Sequence, residues 1–315
     1  MNVSSREKMK NPLKKQIAKA WFCCLFFFIP LFLFSCNGNA KRKESEKTLR
    51  VLSSIAPYKF FVERIAEPHI AVDLFVPEGA NSHTFEPSPR QMIEASYCKI
   101  WFQAGDSYES PMKESLRHSN PDMQFVDLRK DIDQIFLKKS CCSHIEKHKK
   151  TLMDIHIWLS PKGAKEQAKT IASSLIKRFP EFEEEFKRKL HQFLLELECV
   201  DKEIAKLLAN CRGKSIVTSH AAFGYFCRDY GLNQISIECE GKEPSTNYIA
   251  KTIKEIKKLN AKTIFLQKQH NNRGGKRIAE ELQLKTVFLD PYSPNYFNNL
   301  RKIANAFKEE CERSL

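Results

Sequence analysis

One stretch limits the folds open to this chain more than any other. From Phe182 to Asn210 apolar residues recur at steps of three and four: Phe182, Phe186, Leu190, Phe193, Leu194, Leu197, Ile204, Leu207 and Leu208. Pro180 stands just ahead of the run and Gly213 just beyond it, with neither residue type between. That spacing puts one apolar stripe along a single helix of about eight turns. On both sides of it the pattern is different, and short apolar runs alternate with amphipathic stretches. Before it, strands are predicted at Arg50–Ile55, Ile70–Val76 and Lys99–Gln103; helices open at Pro57 and Ser88-Pro89, and another contains Met112 and Leu116. After it, strands are predicted at Ser215–Thr218, Gln234–Ile237, Thr263–Leu266 and Lys285–Leu289, with helices from Ala221, Ser245, Lys276 and Pro294. Strands separated by helices argue for parallel βαβ units. Because the alternation restarts after the long helix, the expected fold is α/β: two lobes joined by one long rigid helix.

Open α/β sheets bind ligands in the crevice beyond the carboxyl ends of their strands. Four segments put one potential metal ligand just after a strand-like run or just before a helix. They are Ser82-His83-Thr84-Phe85-Glu86-Pro87, Asp154-Ile155-His156-Ile157-Trp158-Leu159-Ser160-Pro161, Thr218-Ser219-His220 and Leu289-Asp290-Pro291-Tyr292. Two fall in each lobe, at the edge where the lobes face each other. Three imidazoles and a carboxylate form a near-complete tetrahedral set for Zn²⁺, and an imidazole-rich set suits zinc or copper better than manganese, which prefers oxygen. A ligating ring holds its orientation through its second nitrogen, and Asp154 and Glu86 are the carboxylates expected to accept from it. His69, His118 and His191 carry no such context and are read as ordinary side chains.

The N-terminus places the domain outside the cytoplasm. Six basic residues against one acidic precede an apolar run from Trp21 to Phe34. About 14 residues is short for a membrane span of roughly 20 and suits the core of a signal peptide; an uncleaved anchor is the alternative. The run closes Leu33-Phe34-Ser35-Cys36, which resembles a bacterial lipobox with Cys36 as the lipid attachment residue. Residues 1–35 are thus read as signal peptide, 36–48 as lipidated cysteine and flexible tether, 49–179 as the first lobe, 180–212 as the linking helix and 213–315 as the second lobe. The formal net charge of +14 is partly carried by the leader. An exported chain without a basic-aromatic module is not expected to bind nucleic acid. Of the 11 cysteines, eight remain beyond Cys36, with no repeated CxxC spacing that would hold a structural zinc. The Lys-rich stretch from Lys138 to Lys150 carries Cys141, Cys142, His144 and His148, a possible accessory metal loop with a plain charged loop as the alternative.

Together these segments carry a resemblance. With His220-Ala221-Ala222-Phe223-Gly224-Tyr225-Phe226 and Glu243-Pro244-Ser245 added, they resemble the zinc/manganese family of solute-binding proteins of bacterial ABC transporters, in register from about Leu49 to the C-terminus. The resemblance implies a metal site in the cleft between the lobes, with His83, His156, His220 and Asp290 as ligands. It also implies a monomer that delivers its ion to a membrane permease driven by a cytoplasmic ATPase. Manganese-binding members usually have glutamate where His220 stands, so Zn²⁺ is the expected cargo and Mn²⁺ or Fe²⁺ the alternatives. Two departures stand out. Gln267-Lys268-Gln269 follows a strand where relatives commonly have glutamate, and Ser82 precedes His83 where relatives vary. Outside the transport class the alternatives are a secreted zinc hydrolase, against which the four protein ligands and the lack of an HExxH helix argue, and an adhesin or surface antigen. No catalytic residues are expected.

Overall fold

The computed structural model describes residues 49–136, 153–238 and 246–314. The leader, Cys36, the loop with Cys141, Cys142, His144 and His148, and Glu243-Pro244-Ser245 lie outside the described residues.

The first lobe runs β1 (Leu49–Ser53), α1 (Ala56–Ala66), β2 (Ile70–Leu74), α2 (Pro89–Ala95), β3 (Ile100–Gln103), α3 (Glu109–Ser119) and β4 (Gln124–Asp127). Then come α4 (Pro161–Arg178) and the long α5 (Glu183–Leu207). The second lobe runs β5 (Ser215–His220), α6 (Gly224–Tyr230), β6 (Asn233–Glu238), α7 (Thr246–Lys258), β7 (Thr263–Gln267), α8 (Arg273–Leu282), β8 (Lys285–Leu289) and α9 (Tyr296–Arg313). Both sheets have four parallel strands in matching order, β2-β1-β3-β4 and β6-β5-β7-β8. Each therefore has a switch point beside its first strand, where neighbouring connections leave on opposite faces and open a crevice.

Period-two alternation sorts the side chains. Ile100 and Phe102 join one core cluster while Trp101, between them, joins another; Ile216 and Val217 divide in the same way. Sheets buried on both faces need such continuous apolar runs. The largest cluster is common to both lobes. It gathers Tyr58, Phe61 and Trp158 from the first, Phe193 and Leu197 from α5, and Phe223, Tyr296 and Phe307 from the second. The helix α5 buries Phe186, Phe193, Leu197, Val200 and Ile204, and it packs on α1, α4 and α9. Edge-to-face packing of Phe61 on Tyr296, with ring centroids 4.8 Å apart, fastens the lobes directly. Trp158 Nε1 donates to the Pro291 carbonyl (2.8 Å), and Tyr296 Oη donates to the Trp158 carbonyl (2.5 Å).

Two local outcomes differ from the sequence reading. The strand β4 forms where no strand is predicted, because Gln124 and Asp127 are polar and only Phe125 and Val126 mark it. The single apolar stripe of the linker maps onto α5 with a turn of 3-10 helix at each end, Pro180–Phe182 and Ala209–Cys211. Glu183, Glu184 and Glu185 in the first turn of α5 and Lys206 in its last complement the helix dipole.

Candidate metal centre

Each of the three histidines is delivered by a different kind of local structure. His83 sits in a 3-10 turn, Ser82–Thr84, whose preceding Asn81 side chain accepts from the His83 amide at 3.0 Å. Ser82, fully buried, exchanges a 2.9 Å hydrogen bond with Tyr292 of the second lobe. His156 precedes the turn Ile157–Leu159, after which Ser160 caps α4 by accepting from Gly163 N at 3.0 Å. Pro161, at the first position of α4, needs no amide donor there. His220 is the last residue of β5, beside the switch point.

These three side chains converge. One nitrogen from each of His83, His156 and His220 lies within 4.8 Å of the other two. Within the group, His83 Nε2 and His220 Nε2 stand 3.2 Å apart. Two nitrogens on one tetrahedral zinc with bonds of ~2.0–2.1 Å stand ~3.3–3.4 Å apart. The spacing fits two ligands of one ion as well as it fits a hydrogen bond.

Carboxylates hold two of the rings. Asp154 Oδ1 accepts from both the amide (2.9 Å) and Nδ1 (2.8 Å) of His156, and so fixes its backbone and its ring at once. Asp106 Oδ1 accepts from His83 Nδ1 at 2.9 Å. Burial works to raise the carboxyl of Asp106, but the hydrogen bond and charge of His83 outweigh it, and its pKa ends below the ordinary value. An ionised Asp106 keeps the proton on His83 Nδ1 and leaves Nε2 with its lone pair. His156 Nε2 and His220 Nδ1 are buried without a hydrogen-bond partner. Burial, then the neighbouring His156, His270 and His83, push His220 well below the usual histidine range, so its ring is neutral and able to ligate.

The cluster also depends on a glycine. A Cβ on Gly224 would stand 2.4 Å from Asp154 Oδ2, so only glycine at the start of α6 leaves room for the carboxylate that holds His156.

Asp290 follows β8 on the same edge. Its Oδ1 accepts from Gln269 Nε2 (2.7 Å) and from the Tyr292 amide (3.0 Å), and its Oδ2 lies 3.9 Å from Lys268 Nζ. It stands outside the 4.8 Å group. Glu86, expected to accept from a ring nitrogen, is exposed, and the carboxylate on His83 is Asp106 instead. Asp106 and His270 are the residues that sequence reasoning missed. His270 is 7 % exposed, stacks on His220 with centroids 4.2 Å apart, and approaches His83 at 5.7 Å. The strand-end rule applied to β7 points to it, three residues past Gln267. His69 pairs with Glu185, while His118 and His191 are exposed.

Comparison with known proteins gives consistent likenesses. A family model described as zinc-uptake complex component A, periplasmic, matches residues 51–310. A putative metal-binding protein of Chlamydia trachomatis serovar D is 30% identical over 279 residues, covering 88% of this chain and 97% of that protein. The zinc-binding protein AdcA of Streptococcus pyogenes serotype M3 is 29% identical over 273 residues, and the match covers 80% of this chain but only 52% of that longer protein. Among solved structures, a crystal structure of ZnuA superposes with a TM-score of 0.76 at 30% identity, covering 84% of this chain and 99% of that one.

Proposed function

The chain belongs to the family of periplasmic zinc-uptake complex component A proteins, and from that premise we propose that it captures Zn²⁺ between its lobes and delivers it to the permease of an ABC importer. The observation that carries this reading is the convergence of His83, His156 and His220 within 4.8 Å. Three buried or half-buried imidazoles, two of them oriented by carboxylates, form a nitrogen-rich donor set that favours zinc over manganese. Asp290 is the proposed carboxylate ligand: with Oδ1 engaged by Gln269 and Tyr292, Oδ2 is the oxygen left to turn toward an ion. The role is that of a carrier. Binding needs neutral rings and a dry cleft, and release needs those ligands to let go, with no bond of a substrate made or broken.

Anchoring through a lipidated Cys36 at the outer face of the cytoplasmic membrane completes the proposal, with the permease and its ATPase as partners. The arrangement leaves the domain free to collect ions and return to the same transporter.

The test is competition of Zn²⁺ against Mn²⁺ and Fe²⁺ for metal-free protein, followed by calorimetry, alongside the His220→Ala variant. Zinc is expected to win at one ion per chain, and His220→Ala to weaken it by at least about 100-fold, at or beyond the upper end of the effect of losing an outer partner. Preference for Mn²⁺ would overturn the zinc assignment, and an unchanged affinity in His220→Ala would remove that ligand.

A further inference from the structure

Among the described residues, His270 is a buried imidazole that the site as described leaves without a role. It is 7 % exposed, and both of its ring nitrogens are buried with no hydrogen-bond partner. A neutral imidazole carries one N–H and one lone pair, and leaving a buried polar group unsatisfied costs about 1–3 kcal/mol. Core histidines ordinarily avoid this by bonding to a carbonyl, as a satisfied side chain would. This one does not, although it is held in place with care.

The loop that carries it is a built structure. Asn272 Nδ2 donates to the carbonyls of Gln267 (2.7 Å) and His270 (2.8 Å), while its Oδ1 accepts from Gln267 N at 3.2 Å. His270 N donates to the Gln267 carbonyl at 3.2 Å. Gln267 Nε2 donates in turn to the carbonyl of His220 at 2.9 Å, which ties the loop to the end of β5. The His270 ring lies on the His220 ring at 24°. Its centroid is 5.7 Å from that of His83, against 5.0–5.4 Å for the pairs within the three-histidine group. The unsatisfied nitrogens thus belong to a ring that stands outside the 4.8 Å group but borders it, in contact with the rings of His220 and His83.

We propose that His270 is a further imidazole ligand of the captured metal, swinging onto the ion from its stack on His220 and making the donor set predominantly or wholly nitrogen. The inference rests on the metal-capture reading above and deepens it. Its chemistry is simple. The metal takes the lone pair of one nitrogen, which removes an unsatisfied acceptor, and the approach needs rotation of one side chain rather than movement of a lobe. Asp290, already engaged by Gln269 and Tyr292, then competes for the same position instead of filling it alone. Four imidazoles around one ion are softer and less charged than three with a carboxylate, and they discriminate further against Mn²⁺.

The experiment uses the full chain loaded with one equivalent of Zn²⁺, with X-ray absorption counting the imidazoles and Co²⁺ substitution reporting the ligand field. His270→Phe, which keeps a flat ring on His220, and His270→Ala are compared with wild type. Four imidazoles in the wild type are expected. Both variants should drop to three, with zinc affinity weakened by about 10–100-fold or more and an altered Co²⁺ spectrum. A wild type with three imidazoles, or variants with unchanged affinity and spectrum while wild type binds zinc tightly, would overturn this assignment alone. A wild type that takes up no zinc would overturn the capture reading with it. The absorption count on wild type decides the matter even where a variant folds poorly.

Discussion

Gly224→Ala is the perturbation that best tests the logic of the centre, because it touches no proposed ligand. The new Cβ would meet Asp154 Oδ2 at 2.4 Å, and an ordinary contact begins near 3.4 Å, so the carboxylate must retreat by about 1 Å. It has little freedom to do so. Oδ1 is bound to the His156 amide and ring at 2.9 and 2.8 Å, and a hydrogen bond of that length has only about 0.4 Å of slack before it passes 3.2 Å. The ring of His156 therefore loses its carboxylate or tilts with it. Losing such a partner weakens metal affinity by about 10–100-fold, or about 1.4–2.7 kcal/mol. Overpacking separately costs the fold about 1–3 kcal/mol. Zinc affinity measured by chelator competition, with the thermal melt of the metal-free protein beside it, reads both. Asp154→Ala should reproduce the affinity loss, and Gly224→Ala added to it should produce little more. Wild-type affinity in a folded Gly224→Ala protein would refute the claim that Asp154 orients His156.

Two further outcomes follow from the buried groups. Burial and its histidine neighbours hold His220 well below its ordinary value, and burial brings His270 down to about 3, whereas burial raises Glu109 to about 7. Between about pH 5 and 6 the unfolded chain binds two protons on the histidines that the native state refuses, while the native state keeps one on Glu109 that the unfolded chain releases. The net excess of about one proton in the unfolded state makes metal-free stability rise with pH by about 1.4 kcal/mol per unit there; urea midpoints that rise on acidification would contradict this. Trp158→Phe strands the buried Pro291 carbonyl that accepts from Nε1, at about 1–3 kcal/mol. A thermal melt unchanged from wild type would show that this link between the lobes contributes nothing.

The architecture was legible because it is written in periodicities. Residues such as Phe186, Phe193 and Leu197 advertise α5, and the run Ile264-Phe265-Leu266 inside β7 is continuously apolar because both faces of the sheet are buried. The strand β4 was not, since four residues with polar ends carry too little pattern. The convergence of His83, His156 and His220 could be read from strand ends and helix starts. Asp154, two residues from His156, could be read as a carboxylate for a ligand ring, whereas the carboxylate on His83 could not. Glu86, three residues from His83, and Asp106, 23 residues away, are indistinguishable in chemistry, and only the turn at Ser82–Thr84 aims the ring at the second. His270 lies where the strand-end rule points, three residues past β7, but its burial against His220 rests on a loop clipped by Asn272, which no repeat or motif announces.

The carboxylates that hold the rings are not shared evenly. Asp106 and Asp154 both belong to the first lobe and grip His83 and His156, whereas His220 in the second lobe has an unpartnered Nδ1 and only the face of His270 behind it. A ring backed by a carboxylate is the more basic donor. An ion in this cleft is expected to belong to the first lobe by tenure and to the second by contact. On that reading departure would begin at His220, the ring that no carboxylate backs, and His83 and His156 would hold the ion longest.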